Sequence, residues 1–195
     1  MALLPLESIS EAAGQALLDL ARQVILSAVE QRPSPSAEPI RKRFPYLSEA
    51  GASFVTLTLS GQLRGCIGTL QARRALIEDV AENAYAAAFR DPRFDEVGAD
   101  EVHALEIEIS VLGIPKTLAV STERQLIENL LPGVHGLILE FEWHKATFLP
   151  TVWRQLKDPA TFVAALKRKA GLPEDFWSPA VRCSTYETIT FSEKR

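Results

Sequence analysis

The sequence Leu63-Arg64-Gly65-Cys66-Ile67-Gly68-Thr69, just after the turn residues Ser60-Gly61, decides the fold around it. Before the turn, residues 54–59 alternate apolar side chains with threonines, so the two stretches together predict a β-hairpin. Glycine weakens a strand because it loses more entropy on folding and packs no side chain. Gly65 and Gly68 therefore indicate a place where backbone or ligand must approach closely.

Side chains of a strand alternate between its two faces. Arg64 and Cys66 are therefore expected on one face, where Gly68 leaves space beside them. A guanidinium next to a thiol favours the thiolate, the form that attacks electrophiles and binds soft metals. The segment is thus a candidate functional site, although it does not by itself specify a reaction.

Composition limits the classes of function. The chain has 195 residues and a net charge of −4, and its hydrophobic content is 47%. This length suits one substantial domain or two closely packed lobes. The acidic balance argues against nucleic-acid binding, and no stretch approaches the roughly 20 apolar residues of a membrane span. Two cysteines are not a disulfide framework, and Met1-Ala2-Leu3-Leu4-Pro5 lacks a signal-peptide pattern, so we expect a cytoplasmic protein.

Periodicity and capping residues predict the remaining elements. Helices are expected over about 8–32 with a Ser8/Glu11 capping box, over 75–90, from Ser121 or Thr122 to Leu131, and from Asp158-Pro159 to Gly171. Strands are expected over 105–111, over 137–143 and 146–149 with a turn at His144-Lys145, and over 181–191. A proline-rich extended connector is expected over 32–46. Strands grouped in hairpins predict an α+β fold, with a mixed or antiparallel sheet and flanking helices.

The predicted core consists of apolar residues on the inward faces of these elements. They are Phe54, Val55, Leu57, Ile67, Val80, Ile107, Ile109 and Leu139.

Several blocks of the chain resemble one known family, the AMMECR-type domain family, also called AmmeMemoRadiSam system protein A. The matching blocks are Leu63–Gly68, Asn83–Ala88, Asp91–Phe94, Leu105–Leu112, Gly136–Leu139, Thr147–Trp153 and Lys169–Pro173. The resemblance implies a single domain over 8–195 with two subdomains, and a motif around Cys66 that lines a cleft between two lobes.

The resemblance implies partners but no reaction. The family has no established biochemical activity, and its name implies association with a Memo-like protein and a radical S-adenosylmethionine enzyme. Two residues depart from the family pattern. His135 stands where the family usually has aspartate, and Thr151 stands where it usually has glutamine.

The candidate site residues follow from these observations. Cys66 is the candidate catalytic residue, and the candidate ligand-binding residues are Arg64, Gly65, Gly68, Thr69, Asn83, Asp91, Arg93 and His135. Spacings typical of metal ligands and of nucleotide-binding loops do not occur, so we expect neither a metal nor a cofactor.

Each candidate also has a structural alternative. A cysteine is often an inert core residue, and Arg64 could pair with Glu106 or Glu108 instead of binding an anion. Asp91-Pro92 is a common helix terminator, and Asn83 on a helix among alanines could be a satisfied core amide. His135 is the best-placed base for Cys66, but its departure from the family pattern argues against a Cys-His hydrolase shared by the family.

Two hypotheses of function remain. The first is an accessory protein that binds a small anionic ligand or a partner around Arg64-Gly65-Cys66-Ile67-Gly68. The second is a small-molecule enzyme that uses Cys66 as nucleophile or redox thiol on an anionic substrate. Only the thiol and the arginine of a catalytic set are visible in the sequence, which favours the binding hypothesis.

Overall fold

A computed structural model describes residues 4–193 of the chain. The α-helices are α1 Glu11–Val29, α2 Glu38–Arg43, α3 Leu76–Phe89, α4 Glu123–Asn129 and α5 Pro159–Lys169. The strands are β1 Ala50–Leu59, β2 Gln62–Gly68, β3 Arg74–Ala75, β4 Leu105–Leu112, β5 Lys116–Leu118, β6 Gly136–Phe141, β7 His144–Phe148, β8 Arg182–Tyr186 and β9 Thr188–Ser192. These helices and two antiparallel sheets confirm the predicted α+β class.

The chain divides into two compact units. The first unit runs up to Gly113 and takes up the chain again from Ile189, and the second is Ile114–Thr188. Each has its own sheet and its own apolar core, as expected when two sets of amphipathic elements bury separate faces.

The sheet of the first unit has the order β2-β1-β4-β9, and β3 also pairs with β1. Strand β1 aligns antiparallel with β2 and β4, so Thr56 lies opposite both Cys66 and Glu108. The register of the hairpin slips between Leu57 and Thr58, which leaves Arg64 in a β-bulge. Strand β2 forms an edge of this sheet, and β1 is central.

Helices α1 and α3 cover the apolar face of that sheet. The inward side chains of β1 and β4, among them Val55, Leu57, Ile107 and Ile109, are buried against them, as predicted. Helix α3 contributes Val80 and a row of buried alanines. Small side chains allow the helix axis to come close to the strands. The absence of a side chain at Gly65 in β2 allows the same close approach.

The hairpin turn between β1 and β2 is confirmed. Ser60 and Gly61 have φ of 51° and 75°, and a two-residue turn with both φ positive matches the twist of the flanking strands. Of the other predicted core residues, Phe54 and Ile67 are only partly buried, whereas Leu139 lies in the core of the second unit.

In the second unit the sheet has the order β5-β8-β6-β7. Helix α4 begins with a capping box between Thr122 and Gln125, and α5 begins at the predicted N-cap Asp158. Helix α5 ends as predicted before Gly171, whose φ of 77° closes the last turn. The core packs Phe162 in a parallel stack against Trp153, with ring centroids 3.8 Å apart.

Four predicted boundaries were wrong. Helix α1 is capped by Ser10 rather than Ser8, because Ser8 lies in a 3₁₀ turn and donates its hydroxyl to Pro5. The connector 32–46 is not extended throughout, since Pro39 occupies the first turn of α2, where its missing N–H is not needed.

The other two corrections concern strands. The second hairpin turns at Glu142-Trp143, where Glu142 adopts a φ of 52°, and His144 already belongs to β7. The predicted strand 181–191 is divided between β8 and β9, which lie in different sheets. Alternation alone could not reveal this division, because both pieces carry similar side-chain patterns.

Residues 1–3 and 194–195 lie outside the described residues. They include part of the start from which we predicted no signal peptide, and the last residues of the predicted 8–195 domain. Within residues 4–193, no helix combines the length and apolar character that crossing a membrane requires.

Candidate functional site

The candidate site is centred on Cys66, in edge strand β2. Its thiol accepts a hydrogen bond from the Thr56 hydroxyl on the neighbouring strand, with Oγ1 and Sγ 3.3 Å apart. The side chain is partly exposed, and the cysteine is not in a disulfide. The hydroxyl stabilises negative charge on sulfur, because it donates directly to it.

The main chain of Cys66 is held by two side chains from the segment after helix α3. The Asp91 carboxylate accepts the Cys66 N–H at 2.9 Å, and Arg93 Nη2 donates to the Cys66 carbonyl oxygen at 3.3 Å. Both groups of Cys66 point away from β1, so Asp91 and Arg93 take the positions of a neighbouring strand. An unpaired edge would otherwise expose these groups to other chains.

Asp91 and Arg93 also bind each other. Two of the guanidinium nitrogens, Nε and Nη2, donate to the two carboxylate oxygens at 2.9 and 2.6 Å. These hydrogen bonds, with that from the Cys66 N–H, lower the pKa of Asp91 to about 2. The same carboxylate raises the pKa of Arg93, and the negative charge of a Cys66 thiolate adds to this effect. The Asp91 carboxylate therefore stays ionised and occupied by hydrogen bonds, which makes it a poor general base.

Arg93 presents the exposed end of this pair. Its side chain is 53% exposed, whereas that of Asp91 is 2% exposed. The guanidinium carbon lies 5.3 Å from the centre of the Phe94 ring, and residues 64 and 92–95 line an open depression of about 410 Å³. Among residues 4–193, no hydrogen-bond partner is found for Arg93 Nη1.

Arg64 donates hydrogen bonds to a carboxylate and to main-chain carbonyls of the first unit. Its Nε and Nη2 donate to the Glu101 carboxylate at 2.9 and 2.6 Å, and further bonds reach the carbonyls of Asp95 and Glu96. The Glu101 hydrogen bond raises the pKa of Arg64, and Arg64 lowers that of Glu101. Arg64 thus fastens the 95–101 loop to β2. The expected alternatives Glu106 and Glu108 are not its partners, because the bulge redirects its side chain.

The two glycines of the motif serve internal packing. A Cβ on Gly65 would overlap the carbonyl oxygen of Ala87 in helix α3, so this glycine lets the helix approach the strand. A Cβ on Gly68 would overlap the Phe54 ring and the Ser53 carbonyl. The face beside Cys66 is therefore not bare at Gly68, as the alternation predicted, but covered by Phe54.

Thr69 and Asn83 belong to a second cluster, which surrounds Asp79. The Asp79 carboxylate is 1% exposed and accepts hydrogen bonds from the Ser53 N–H and from the hydroxyls of Ser53 and Thr69. Asn83 and Arg74 complete the set of donors at 2.9 and 3.0 Å. This cluster joins β1, the end of β2 and helix α3. Its arrangement supports the structural alternative for Asn83.

His135 lies in the second unit, before β6. Its Nδ1 accepts the Leu131 N–H at 3.1 Å, so a neutral ring carries its proton on Nε2. The His135 carbonyl accepts the indole N–H of Trp153 at 2.7 Å. Both bonds are local to the second unit. Within residues 4–193, no cluster of three or more His, Cys, Asp or Glu side chains is arranged to hold a metal.

Sequence reasoning missed three residues of this region: Asp79, Thr56 and Glu101. Asp79 could have been found, because it lies between Leu76 and Asn83 on the inner face of the predicted helix, where a carboxylate needs partners. Thr56 could have been found from the register of the predicted hairpin, which places it opposite Cys66. Glu101 carried no signal, since its pairing depends on the path of a loop.

The sequence profile of the AMMECR1 family matches residues 18–191.

The chain belongs to the AMMECR1 family.

Archaeal relatives match over most of their length. Protein Mbar_A1807 of Methanosarcina barkeri is 33% identical over 188 residues, which cover 95% of this chain and 93% of the relative. Protein MJ0810 of Methanocaldococcus jannaschii is 35% identical over 138 residues, 68% of this chain and 67% of the relative. The crystal structure of the uncharacterized protein PH0010 from Pyrococcus horikoshii is similar with a TM-score of 0.89 at 29% identity, and covers 96% of this chain and 94% of that one. None of these names states an activity.

Proposed function

We propose that this member of the AMMECR1 family is an accessory binding protein whose binding surface is the β2 edge around Cys66 and Arg93. One observation supports this most directly. The Arg93 guanidinium is fixed by Asp91 and by the Cys66 carbonyl, yet half of its side chain remains exposed at the rim of the 64/92–95 depression. A donor group held rigidly before binding loses little entropy when a partner arrives.

The anionic ligand expected at Arg64 is reassigned in this proposal to Arg93. The Arg64 side chain is 15% exposed, and its guanidinium already donates hydrogen bonds to Glu101 and to two carbonyls. It therefore has little capacity to bind a ligand. Arg93 keeps one nitrogen available, and a guanidinium suits carboxylate and phosphate oxygens. A Memo-like protein and a radical S-adenosylmethionine enzyme are the proposed partners, and the cytoplasm the proposed compartment.

Binding to purified Memo-like and radical S-adenosylmethionine proteins from the same genome tests this proposal. Arg93→Ala should weaken the complex by about tenfold or more, because it removes the exposed donor. Arg90→Ala is the matched control. Arg90 is exposed, pairs with Glu82 and lies over the Tyr85 ring, and neither contact involves Cys66 or Asp91, so its loss should leave the dissociation constant unchanged. Equal binding by wild type and Arg93→Ala, in variants with equal melting temperatures, would contradict the proposal.

A second function is favoured by the hydrogen bond from Thr56 to the Cys66 sulfur, namely catalysis by Cys66 as nucleophile or redox thiol. The Thr56 hydroxyl and the Arg93 charge both favour a thiolate. Alkylation by iodoacetamide should then show a midpoint clearly below the ordinary thiol value of about 8.5. Thr56→Val should move that midpoint upward. A wild-type alkylation midpoint at the ordinary thiol value would exclude an activated thiol. The binding function would then be the remaining proposal.

A further inference from the structure

The outward groups of β2 continue beyond Cys66 to Gly68. Cys66 and Gly68 are two residues apart in the same register with β1, facing Thr56 and Phe54 without a bulge between them. Since the N–H and C=O of Cys66 point outward, those of Gly68 do as well. The hydrogen bond from Thr69 N to Ser53 O agrees with this alternation. Thr69 follows Gly68, and in an antiparallel pair of strands a hydrogen-bonded position stands next to one whose N–H and C=O point outward.

The two residues differ in how these groups are satisfied. At Cys66 the side chains of Asp91 and Arg93 supply both partners. At Gly68 the N–H and C=O have no hydrogen-bond partner within residues 4–193. The edge thus has one closed position and, next to it, one open position. The Arg93 guanidinium stands at the boundary, since it donates to the Cys66 carbonyl, the outward group that precedes the Gly68 N–H.

We propose that the open position at Gly68 receives the carboxyl-terminal residue of an extended peptide, with its terminal carboxylate shared between the Gly68 N–H and Arg93. This inference deepens the proposed binding function and rests on it. An antiparallel peptide would donate its last N–H to the Gly68 carbonyl. Its carboxylate would accept from the Gly68 N–H, with the second oxygen directed towards Arg93 Nη1.

Charge and length together favour a chain terminus over an internal segment. A longer strand would have to continue past Gly68 to the Cys66 position, which Asp91 and Arg93 already occupy. A peptide that ends at Gly68 avoids this conflict and brings a negative charge to the exposed guanidinium. The exposed Asp95 carboxylate lines the same 64/92–95 depression as Arg93, and it repels the negative charge of a peptide carboxylate. Removing its charge should therefore strengthen binding.

A titration of ¹⁵N-labelled protein followed by NMR tests the inference. The probe is the acetylated peptide Thr-Val-Thr-Val with a free carboxyl terminus, and the matched control is the same peptide with a carboxyl-terminal amide. The free acid should shift the Gly68 amide proton downfield and slow its hydrogen exchange. The amide, and a free acid ending in proline, should each bind at least about tenfold more weakly, because each loses one of the paired groups.

Protein variants complete the test. Arg93→Gln should abolish the preference for the free acid, Arg90→Gln should retain it, and Asp95→Asn should tighten binding of the free acid. Equal binding of acid and amide, an unmoved Gly68 resonance, or an equal response to acetate alone would overturn the inference. If these results appear while Arg93→Ala still weakens the protein partners, only this inference fails. If Arg93→Ala leaves partner binding intact as well, the proposed function fails with it.

Discussion

Strand β2 is fastened by the same device at two positions near its carboxyl-terminal end, Cys66 and Thr69, with different results. Beside Thr69, the Asp79 carboxylate binds the main-chain N–H of Ser53 and is paired with Arg74. At Cys66, the Asp91 carboxylate binds the main-chain N–H of that residue and is paired with Arg93. Both carboxylates are almost completely buried, and both arginines reach the surface.

The difference lies in the other donors. Asp79 is also bound by two hydroxyls and an amide, so its cluster is closed by neutral side chains of the core. Among residues 4–193, the Asp91 carboxylate has only main-chain N–H groups and the Arg93 guanidinium as partners, and that arginine also donates to Cys66. A buried carboxylate that several neutral donors bind in addition to its arginine holds the fold together. One that holds a half-exposed arginine also positions a charge for use outside the protein.

The largest expected effect is at Asp79. Asp79→Ala leaves the N–H and hydroxyl of Ser53 and the Thr69 hydroxyl without their acceptor, while the Asn83 amide keeps the two Ser53 oxygens, so we expect a loss of about 3–5 kcal/mol in the free energy of unfolding. Urea denaturation at neutral pH measures it. Glu82→Ala, an exposed site on the same helix, should cost less than about 0.5 kcal/mol. A loss below about 1 kcal/mol at Asp79 would show that the two positions are not fastened alike.

The next largest effect is expected at Gly65, where strand β2 packs on helix α3 next to Cys66. Gly65→Ala places a Cβ against the Ala87 carbonyl, a backbone atom that cannot rotate away, and we expect a loss of about 3 kcal/mol. Gly98→Ala is the control, because its Cβ would meet only the flexible Asp100 side chain, and it should cost under about 1 kcal/mol. Similar losses at both glycines would contradict the close approach of helix and strand.

The smallest effect concerns pH and sharpens the comparison. The pKa of Asp91 falls from an ordinary 3.8 to about 2 in the folded chain, so its stabilisation is complete above pH 3.8 and is lost as the pH falls through about 2. Between pH 5 and pH 2 the wild type should lose about 2 kcal/mol more than Asp91→Asn. Chemical denaturation at both pH values measures the difference. Parallel pH profiles of the two proteins would show that Asp91 is not stabilised as a carboxylate.

The sequence was sufficient for much of the fold because its signals are local. Alternation in β1 and β4, the Ser60-Gly61 turn and the Asp158-Pro159 cap each depend on a few neighbouring residues. The errors occurred where local signals were ambiguous, as at the division between β8 and β9, or where two capping serines competed, as at Ser8 and Ser10.

The candidate site was predictable only in part, because side-chain pairing is not local. Cys66, Asp91 and Arg93 were selected from the sequence, and the structure brings them together. The guanidinium that contacts Cys66 belongs, however, to Arg93 and not to Arg64, because a bulge turns Arg64 towards Glu101. The motif glycines were expected to clear space for a ligand, but helix α3 and Phe54 fill that space.

The distribution of the two cysteines has a practical consequence. Each compact unit contains one: Cys66 is partly exposed in the first, while burial raises the pKa of Cys183 to about 12 in the second. A thiol reagent added to the native chain should therefore modify Cys66 at once and Cys183 only when the second unit opens. Mass spectrometry of labelled peptides can follow the opening of that unit in the wild-type protein, without an introduced probe.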